Sequence, residues 1–250
     1  MHRTPTIGIV IPARDEAAAI GGVVRGLVAV LAARRDVRLV GVVVCDNGSS
    51  DGTAAAARAA GAVVVHEPIP GYGAACLTAL AALPPVDVVL FTDGDGQFDP
   101  RGALDLIGGV RGGADLVIGA RHKALAARGA LSPQQRFGNV LATWMIGMFW
   151  GYRFTDLGPF RAVRADALRR LDMRDRAFGW TVEMQVKAVQ VGLVCAEVPV
   201  ATRPRVAGRS QISGAVRGVV LAGVGIIGTI VRLRWREAAV RARFDDLCIG

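Results

Sequence analysis

Asp93 and Asp95 stand one residue apart in Asp93-Gly94-Asp95-Gly96-Gln97, directly after a nearly unbroken apolar run from Val86 to Thr92. Acidic groups at the end of a buried strand are costly unless something cationic neutralises them. Two carboxylates at this spacing, with glycines that let the backbone come close, suit a hard divalent cation that also holds phosphate oxygens. The same five residues also read as an Asp/Gly turn of the kind common after strands. Two further acidic loops follow apolar runs: Asp15-Glu16 after Thr6–Ile11, and Asp46 with Asp51 after Arg38–Val44.

For these acids to meet, the runs that precede them must lie side by side. The pattern predicts strands at Thr6–Ile11, Arg38–Val44, Ala62–His66, Val86–Thr92 and Asp115–Gly119. Between them it predicts helices at Ala17–Ala33, Ala54–Ala60, Gly73–Leu83 and Pro100–Val110. Asp51 or Thr53 would cap the second helix, Gly61 would stop it, and Asp99-Pro100 would open the fourth. Such alternation means an α/β fold with a mostly parallel sheet covered on both faces. Ligands then belong at the carboxyl ends of the strands, where all three acidic loops fall.

The second half is less regular. Arg121–Ser132 reads as a polar loop, Pro133–Trp150 as a long helix, and Thr155–Arg161 as a turn before a short strand. A helix at Thr181–Val191 and a strand at Leu193–Val200 follow. An arginine-rich loop, Arg203–Arg209, then precedes a final helix from about Ser213 to Arg236. No internal repeat interrupts the chain.

At 250 residues and 52% hydrophobic, the sequence makes one large α/β domain, or one with an appended helical region. The formal charge is +9, and only Lys123 and Lys187 among the 30 basic residues are lysine. That balance favours anionic partners such as nucleotide diphosphates, lipid phosphates or an acidic membrane surface. No nucleic-acid-binding signature accompanies it. Cys45, Cys76, Cys195 and Cys248 are scattered and read as incidental thiols of a reducing compartment. The chain runs straight into its first strand without a charged-then-apolar leader, which predicts a protein that is not secreted. Its longest uncharged apolar runs, Phe137–Tyr152 and Gly218–Val231, fall short of a spanning helix, so none is expected.

Taken in order, Pro12-Ala-Arg-Asp-Glu16, Asp46-Asn-Gly-Ser-Ser-Asp-Gly-Thr53, Gly71-Tyr-Gly73 and Asp93-Gly-Asp-Gly-Gln97 resemble the motif set of family 2 glycosyltransferases. Phe160-Arg161 after Thr155-Asp156, and Gly208 to Ser213, extend the match. Within the family the chain looks most like dolichyl- or polyprenyl-phosphate hexose synthases, over roughly residues 5 to 232. The resemblance implies a glycosyltransferase-A fold: a Rossmann-like, mostly parallel sheet with helices on both faces, and apolar helices near the C-terminus. It implies one catalytic domain over 1–236, with 5–120 for the nucleotide sugar and 121–236 for the acceptor. Residues 237–250 would form a tail.

By the same resemblance, Pro12, Ala13, Asp15, Glu16, Asp46, Gly73, Asp93, Gly94 and Arg209 would meet the donor, a UDP-sugar in the family's usual choice. Asp46 can accept a hydrogen bond from a base imide or ribose hydroxyl, while its stretch Asp46–Ser50 also reads as a turn leading to the cap at Asp51 or Thr53. Asp95 would be the principal metal ligand, supported by Asp93 and Gln97, and their oxygens suit Mg2+ or Mn2+. Arg121, Arg136 and Asp156 would face the acceptor, although each arginine also reads as a solvated surface group. Glu183 stands where many inverting relatives carry a general base; it reads equally as a helix-start acid. Relatives commonly show Gly-x-Ser-Lys where this chain has Gln211, so Arg203, Arg205 or Arg209 would supply that charge.

The expected activity is metal-dependent hexosyl transfer, with inversion, to a polyprenyl phosphate. It is placed in the cytoplasm, peripherally on the inner membrane face, with a homodimer or homotetramer left open. The alternatives are a soluble family member acting on a hydroxyl of a small metabolite, a sugar-phosphate nucleotidyltransferase, and a non-catalytic sugar-nucleotide binder. A nucleotidyltransferase would carry a Gly-rich loop with Arg and Lys after its first strand, which Pro12–Glu16 is not. A dinucleotide-binding reading of Gly71-Tyr72-Gly73 fails because Cys76 stands at the third glycine.

Overall fold

The computed structural model describes residues 3–126, 133–204 and 223–237. Seven strands form one sheet: β1 (Thr6–Ala13), β2 (Arg38–Asp46), β3 (Val63–His66), β4 (Val88–Phe91), β5 (Leu116–Ala126), β6 (Arg161–Arg164) and β7 (Cys195–Thr202). Their order is β3-β2-β1-β4-β6-β5-β7. All pairings are parallel except those of β6, which runs antiparallel to both β4 and β5. The helices are α1 (Ala17–Ala32), α2 (Thr53–Ala59), α3 (Tyr72–Ala82), α4 (Gly102–Arg111), α5 (Pro133–Trp150), α6 (Ala165–Leu171) and α7 (Trp180–Gln190). A further helix occupies 223–237.

Strand periodicity sorts the core into two layers. Ile7, Ile9 and Ile11 of β1, with Val88 and Leu90 of β4, face α1, α2 and α4. Val10, Val43, Val89 and Phe91 face the other way, onto α3, α5, α6, α7 and the 223–237 helix. Both faces are covered, as the near-continuous apolar strands require.

Several boundaries move. β5 does not stop at Gly119 but runs on to Ala126, because β7 keeps pairing with it through Ala120↔Pro199 and Arg121↔Val200. Arg121 therefore sits on a strand, not in a polar loop. The strand expected from Val86 is shorter, Val88–Phe91. α4 starts at Gly102, since Asp99 first folds a turn by accepting the Arg101 amide at 3.0 Å. α2 opens at Thr53 with Gly52 before it, and Asp51 Oδ1 accepts the Thr53 amide at 3.0 Å. α6, a short element rich in charge, was not foreseen. The first part of the expected final helix, before residue 223, lies outside the described residues. No helix among them is long and apolar enough to cross a membrane.

Leu90 is fully buried at the centre of β4, between Ile9 and Ala162 on the neighbouring strands. Leu90→Ala should lower unfolding free energy by about 2–5 kcal/mol, read as a lower urea midpoint with an unchanged slope.

Candidate active site

The carboxyl ends of β1 and β2 lie side by side, with Pro12 opposite Cys45 and Ala13 opposite Asp46. The loops that follow are clasped by side chains. The Asp15 amide donates to Ser49 Oγ at 3.0 Å, while Ser50 donates its amide to Asp15 Oδ1 at 2.7 Å. Asp15 adopts φ 55°, an unusual conformation for a non-glycine residue that this clasp holds. The Glu16 amide donates to Thr53 Oγ1 at 2.8 Å, and the Ala17 amide to Asp51 Oδ2 at 3.1 Å. Asp46 accepts from the Ser49 amide at 3.0 Å and has His66 Nδ1 at 3.9 Å. The five expected donor residues on these two loops are thus brought together. Asp15 and Asp46 also fix the loops themselves.

Asn47, which the sequence reading passed over, is buried and fully used. Its side-chain amide donates to the Glu67 and Ile69 carbonyls at 2.9 and 2.8 Å, and its oxygen accepts from the Gly71 amide at 2.8 Å. It fastens the start of α3 to the end of β2. Gly71 and Gly73 are required to be glycine by the neighbouring backbone. A Cβ on Gly73 would lie 1.9 Å from the Asp175 carbonyl oxygen, and one on Gly71 2.1 Å from that of Arg176. The Gly73 and Ala74 amides donate to the Ala177 and Arg176 carbonyls at 3.1 and 2.9 Å. The N-terminus of α3 therefore docks onto the 175–177 backbone. Tyr72, between the two glycines, donates its hydroxyl to Asp93 Oδ1 at 3.1 Å.

Asp93 and Asp95 follow β4. Asp95 is 3% exposed, and its Oδ1 accepts the Gln97 amide at 3.0 Å. Gly94 lets this loop lie against β1 and α1: a Cβ there would press Ile20 at 3.1 Å and Ala13 at 3.4 Å. Arg121 points into the same region and is gripped by Asp156, whose Oδ2 accepts its amide at 2.9 Å and its Nε at 2.7 Å. The other end of the fork donates to Oδ1. Burial alone would lower the guanidinium's affinity for its proton, but Asp156, Asp93 and Asp95 together raise it. Asp156 is itself held by its neighbours, with Asn139 of α5 accepting the Leu157 amide at 2.8 Å.

Arg161, quoted in the motif but given no role, is 1% exposed. Its guanidinium donates to the carbonyls of Gly158 and Thr181 at 3.0 Å and to that of Leu157 at 3.2 Å. Burial pushes it down to about 10, although Tyr72 and Asp156 work against that fall.

A model of glycosyl transferase family 2 matches residues 8–172. The chain is 36% identical over 180 residues to an uncharacterised glycosyltransferase of Mycobacterium tuberculosis, covering 72% of this chain and 81% of that one. The chain belongs to glycosyl transferase family 2. It is 30% identical over 165 residues to the undecaprenyl-phosphate mannosyltransferase of Micrococcus luteus, covering 63% of this chain and 64% of that protein. Its fold is like that of glucosyl-3-phosphoglycerate synthase from Mycobacterium tuberculosis, solved in complex with Mn2+, UDP-glucose and phosphoglyceric acid. The TM-score is 0.72 at 23% identity, over 92% of this chain and 80% of that one.

Elsewhere in this glycosyltransferase, the structure gives Glu183 partners of its own. Glu183 is 2% exposed, and its carboxylate accepts the Asp175 amide at 2.7 Å and the Arg174 amide at 3.1 Å. It also pairs with Lys187 at 2.9 Å. Those contacts tie α7 to the loop before it. Arg136 is exposed near the start of α5. Arg205, Arg209 and Gln211 lie outside the described residues. Among the described residues no group of three or more His, Cys, Asp and Glu could enclose a metal. Asp93, Asp95 and Gln97 offer hard oxygen donors, so a cation there would complete its shell with oxygens from a ligand.

The loop is anchored on its far side by Asp99, which pairs with Arg101 at 3.1 Å and Arg203 at 2.6 Å. Arg203 also donates its amide to the Gln97 carbonyl at 2.7 Å. Burial works to raise the Asp99 carboxyl, but Arg101 and Arg203 prevail and hold it at about 2, below the usual 3.8. The stabilisation this gives is complete above pH 4 and is lost as pH falls toward about 2. Asp99→Asn should remove roughly 1–2 kcal/mol of that pH dependence, measured by urea unfolding at stepped acid pH.

Proposed function

We propose that this glycosyltransferase moves a hexose from a nucleotide diphosphate sugar, with UDP as the favoured nucleotide, to a polyprenyl phosphate at a membrane surface. The observation that carries the acceptor is the outer face of α5. Phe137, Val140, Trp144 and Met148 recur at helical spacing and are 70%, 65%, 59% and 54% exposed. Their neighbour Asn139 holds the turn that carries Asp156, so the apolar stripe starts beside the Arg121–Asp156 pair. α5 has no acidic residue and carries Arg136 in its early turns. An interfacial helix presents such a face to a lipid surface, with its cations toward anionic headgroups. The named activity of the Micrococcus luteus relative supports the same reading.

In this proposal Pro12, Ala13, Asp15, Glu16 and Asp46 hold the base and ribose, with Gly73, Gly94 and Arg209 nearby. Arg121, Arg136 and Asp156 order the acceptor phosphate: Asp156 fixes one edge of the Arg121 fork, and the phosphate takes the other. A Mg2+ or Mn2+ ion held by Asp95, with Asp93 and Gln97, would neutralise charge on the departing diphosphate; Mn2+ accompanies UDP-glucose in the structurally similar synthase. An acceptor phosphate oxygen attacks the anomeric carbon as the bond to the diphosphate breaks, and the nucleotide leaves with the electron pair. The phosphate arrives ionised, so no side chain need remove a proton. That agrees with the Glu183 carboxylate being committed to two backbone amides and Lys187. The second reading is transfer to a hydroxyl of a soluble metabolite, which would require a base.

Asp95→Asn should cut transfer and donor hydrolysis on the order of a thousandfold while the thermal unfolding midpoint stays near that of the parent. Full activity of this variant in a chelator would remove the metal assignment.

The acceptor is tested with vesicles containing phosphatidylglycerol and a long polyprenyl phosphate. Phe137→Ser with Trp144→Ser should weaken sedimentation with them and slow transfer at least tenfold, yet spare transfer to a short, water-soluble prenyl phosphate. Binding of the parent should fall as salt rises. Indifference to such vesicles at low salt, or an inactive but folded Glu183→Gln alongside active Arg121→Ala, would favour the hydroxyl acceptor.

A further inference from the structure

We propose that Tyr72 is a positioning residue for Asp93, and that the 223–237 helix holds Tyr72 in place through Asp175. The inference rests on the donor reading above, and concerns how the first carboxylate of the pair is aimed.

A phenol donor 3.1 Å from Asp93 Oδ1 fixes the rotation of that carboxylate, and with it the direction its second oxygen faces. As the first residue of α3, Tyr72 owes its own position to what grips the start of that helix. Asn47 takes the Gly71 amide on one side. On the other, the Arg176 and Ala177 carbonyls take the Ala74 and Gly73 amides, at an approach only glycine permits.

The 175–177 backbone is in turn shaped by one buried side chain. Asp175 Oδ1 accepts the Ala177 and Gly179 amides at 2.9 and 3.1 Å. Its Oδ2 accepts from Thr229 Oγ1 and from an Arg232 amine, each at 3.0 Å. Thr229 is 3% exposed, so this is a packed junction rather than a solvated contact. Hydrogen bonds and backbone therefore join the 223–237 helix to the Asp93 carboxylate, through Asp175, the Arg176 and Ala177 carbonyls, the start of α3 and Tyr72. Spatial continuity alone does not establish coupling; non-additivity does.

The test measures nucleoside diphosphate affinity in the presence of Mn2+ by calorimetry, for the parent, Tyr72→Phe, Thr229→Val and the double variant. Tyr72→Phe keeps the ring and loses one donor to a charged acceptor. It should weaken binding on the order of tenfold and raise the donor KM, while leaving the acceptor KM and the thermal midpoint unchanged. Thr229→Val keeps the shape of the junction and should weaken the same binding severalfold, but add little once Tyr72 is already Phe. Affinity of Tyr72→Phe within twofold of the parent, or fully additive effects in the double variant, would overturn the proposal and leave the donor reading intact. A parent protein that binds no nucleoside diphosphate with Mn2+ would overturn both.

Discussion

Carboxylates can be buried at the end of β4 only where cations are buried beside them, and the reversed strand β6 is what brings them there. Its register sets Arg161, its first residue, opposite Phe91 at the end of β4 and opposite Ile118 of β5. Arg121 lies three residues beyond Ile118 on that same strand. A parallel strand in the position of β6 would have carried its first residue to the opposite edge. An unpaired buried charge costs several kcal/mol, so the buried Asp156 needs its Arg121 partner for the fold itself, apart from any chemistry.

The two arginines meet that need differently. Arg121 is neutralised by a two-pronged pair with Asp156. Among the described residues, the hydrogen bonds that hold Arg161 go to carbonyls and to the Gln185 side-chain oxygen, none of them to a carboxylate. Its charge is therefore held by dipoles, with the nearby Asp156 carboxylate acting in its favour. Fixed donors and charges of this kind need no rearrangement when negative charge develops, which is why they are effective in a site protected from water. Lysine could not replace Arg161, since one ammonium cannot reach the separate Leu157, Gly158 and Thr181 carbonyls in a planar fork.

The parts legible in the sequence are those written in local periodicity. Apolar runs ending in acids gave β1, β2 and β4 with their loops, and hence the edge of the sheet where Asp15, Asp46, Asp93 and Asp95 meet. What escaped depends on partners far along the chain. Arg121 looked like a loop residue because only pairing with β7 extends β5 past Gly119. Arg161 looked like an ordinary arginine at a strand start, and nothing local marks it as buried. Asn47 serves Glu67, Ile69 and Gly71, and Asp175 serves Thr229 and Arg232, contacts that no short window contains. Glu183 is instructive: Lys187 at i+4 was visible, but the Arg174 and Asp175 amides that occupy its carboxylate were not.

The helices on the second face divide into two kinds, and the division follows from where each begins. α7 is buried along most of its length, from Trp180 to Ala188; Trp180 packs against Phe91 of β4, and the helix carries the groups that hold Arg161. α5 fully buries Ala142 and Ile146, and 223–237 Thr229, Ile230 and Leu233, with Met145, Phe149, Trp150 and Ile226 half-buried against the same core. The three converge at Glu237, which accepts from Trp150 Nε1 at 2.6 Å and from Gln190 at 3.0 Å. Burying the remaining faces of α5 and 223–237 would have required another layer of chain. Their opposite regions instead hold the Asp156 turn through Asn139 and the 175–177 loop through Thr229. A surface that engaged these exposed faces would therefore press on the two helices that support both the Arg121–Asp156 pair and Tyr72.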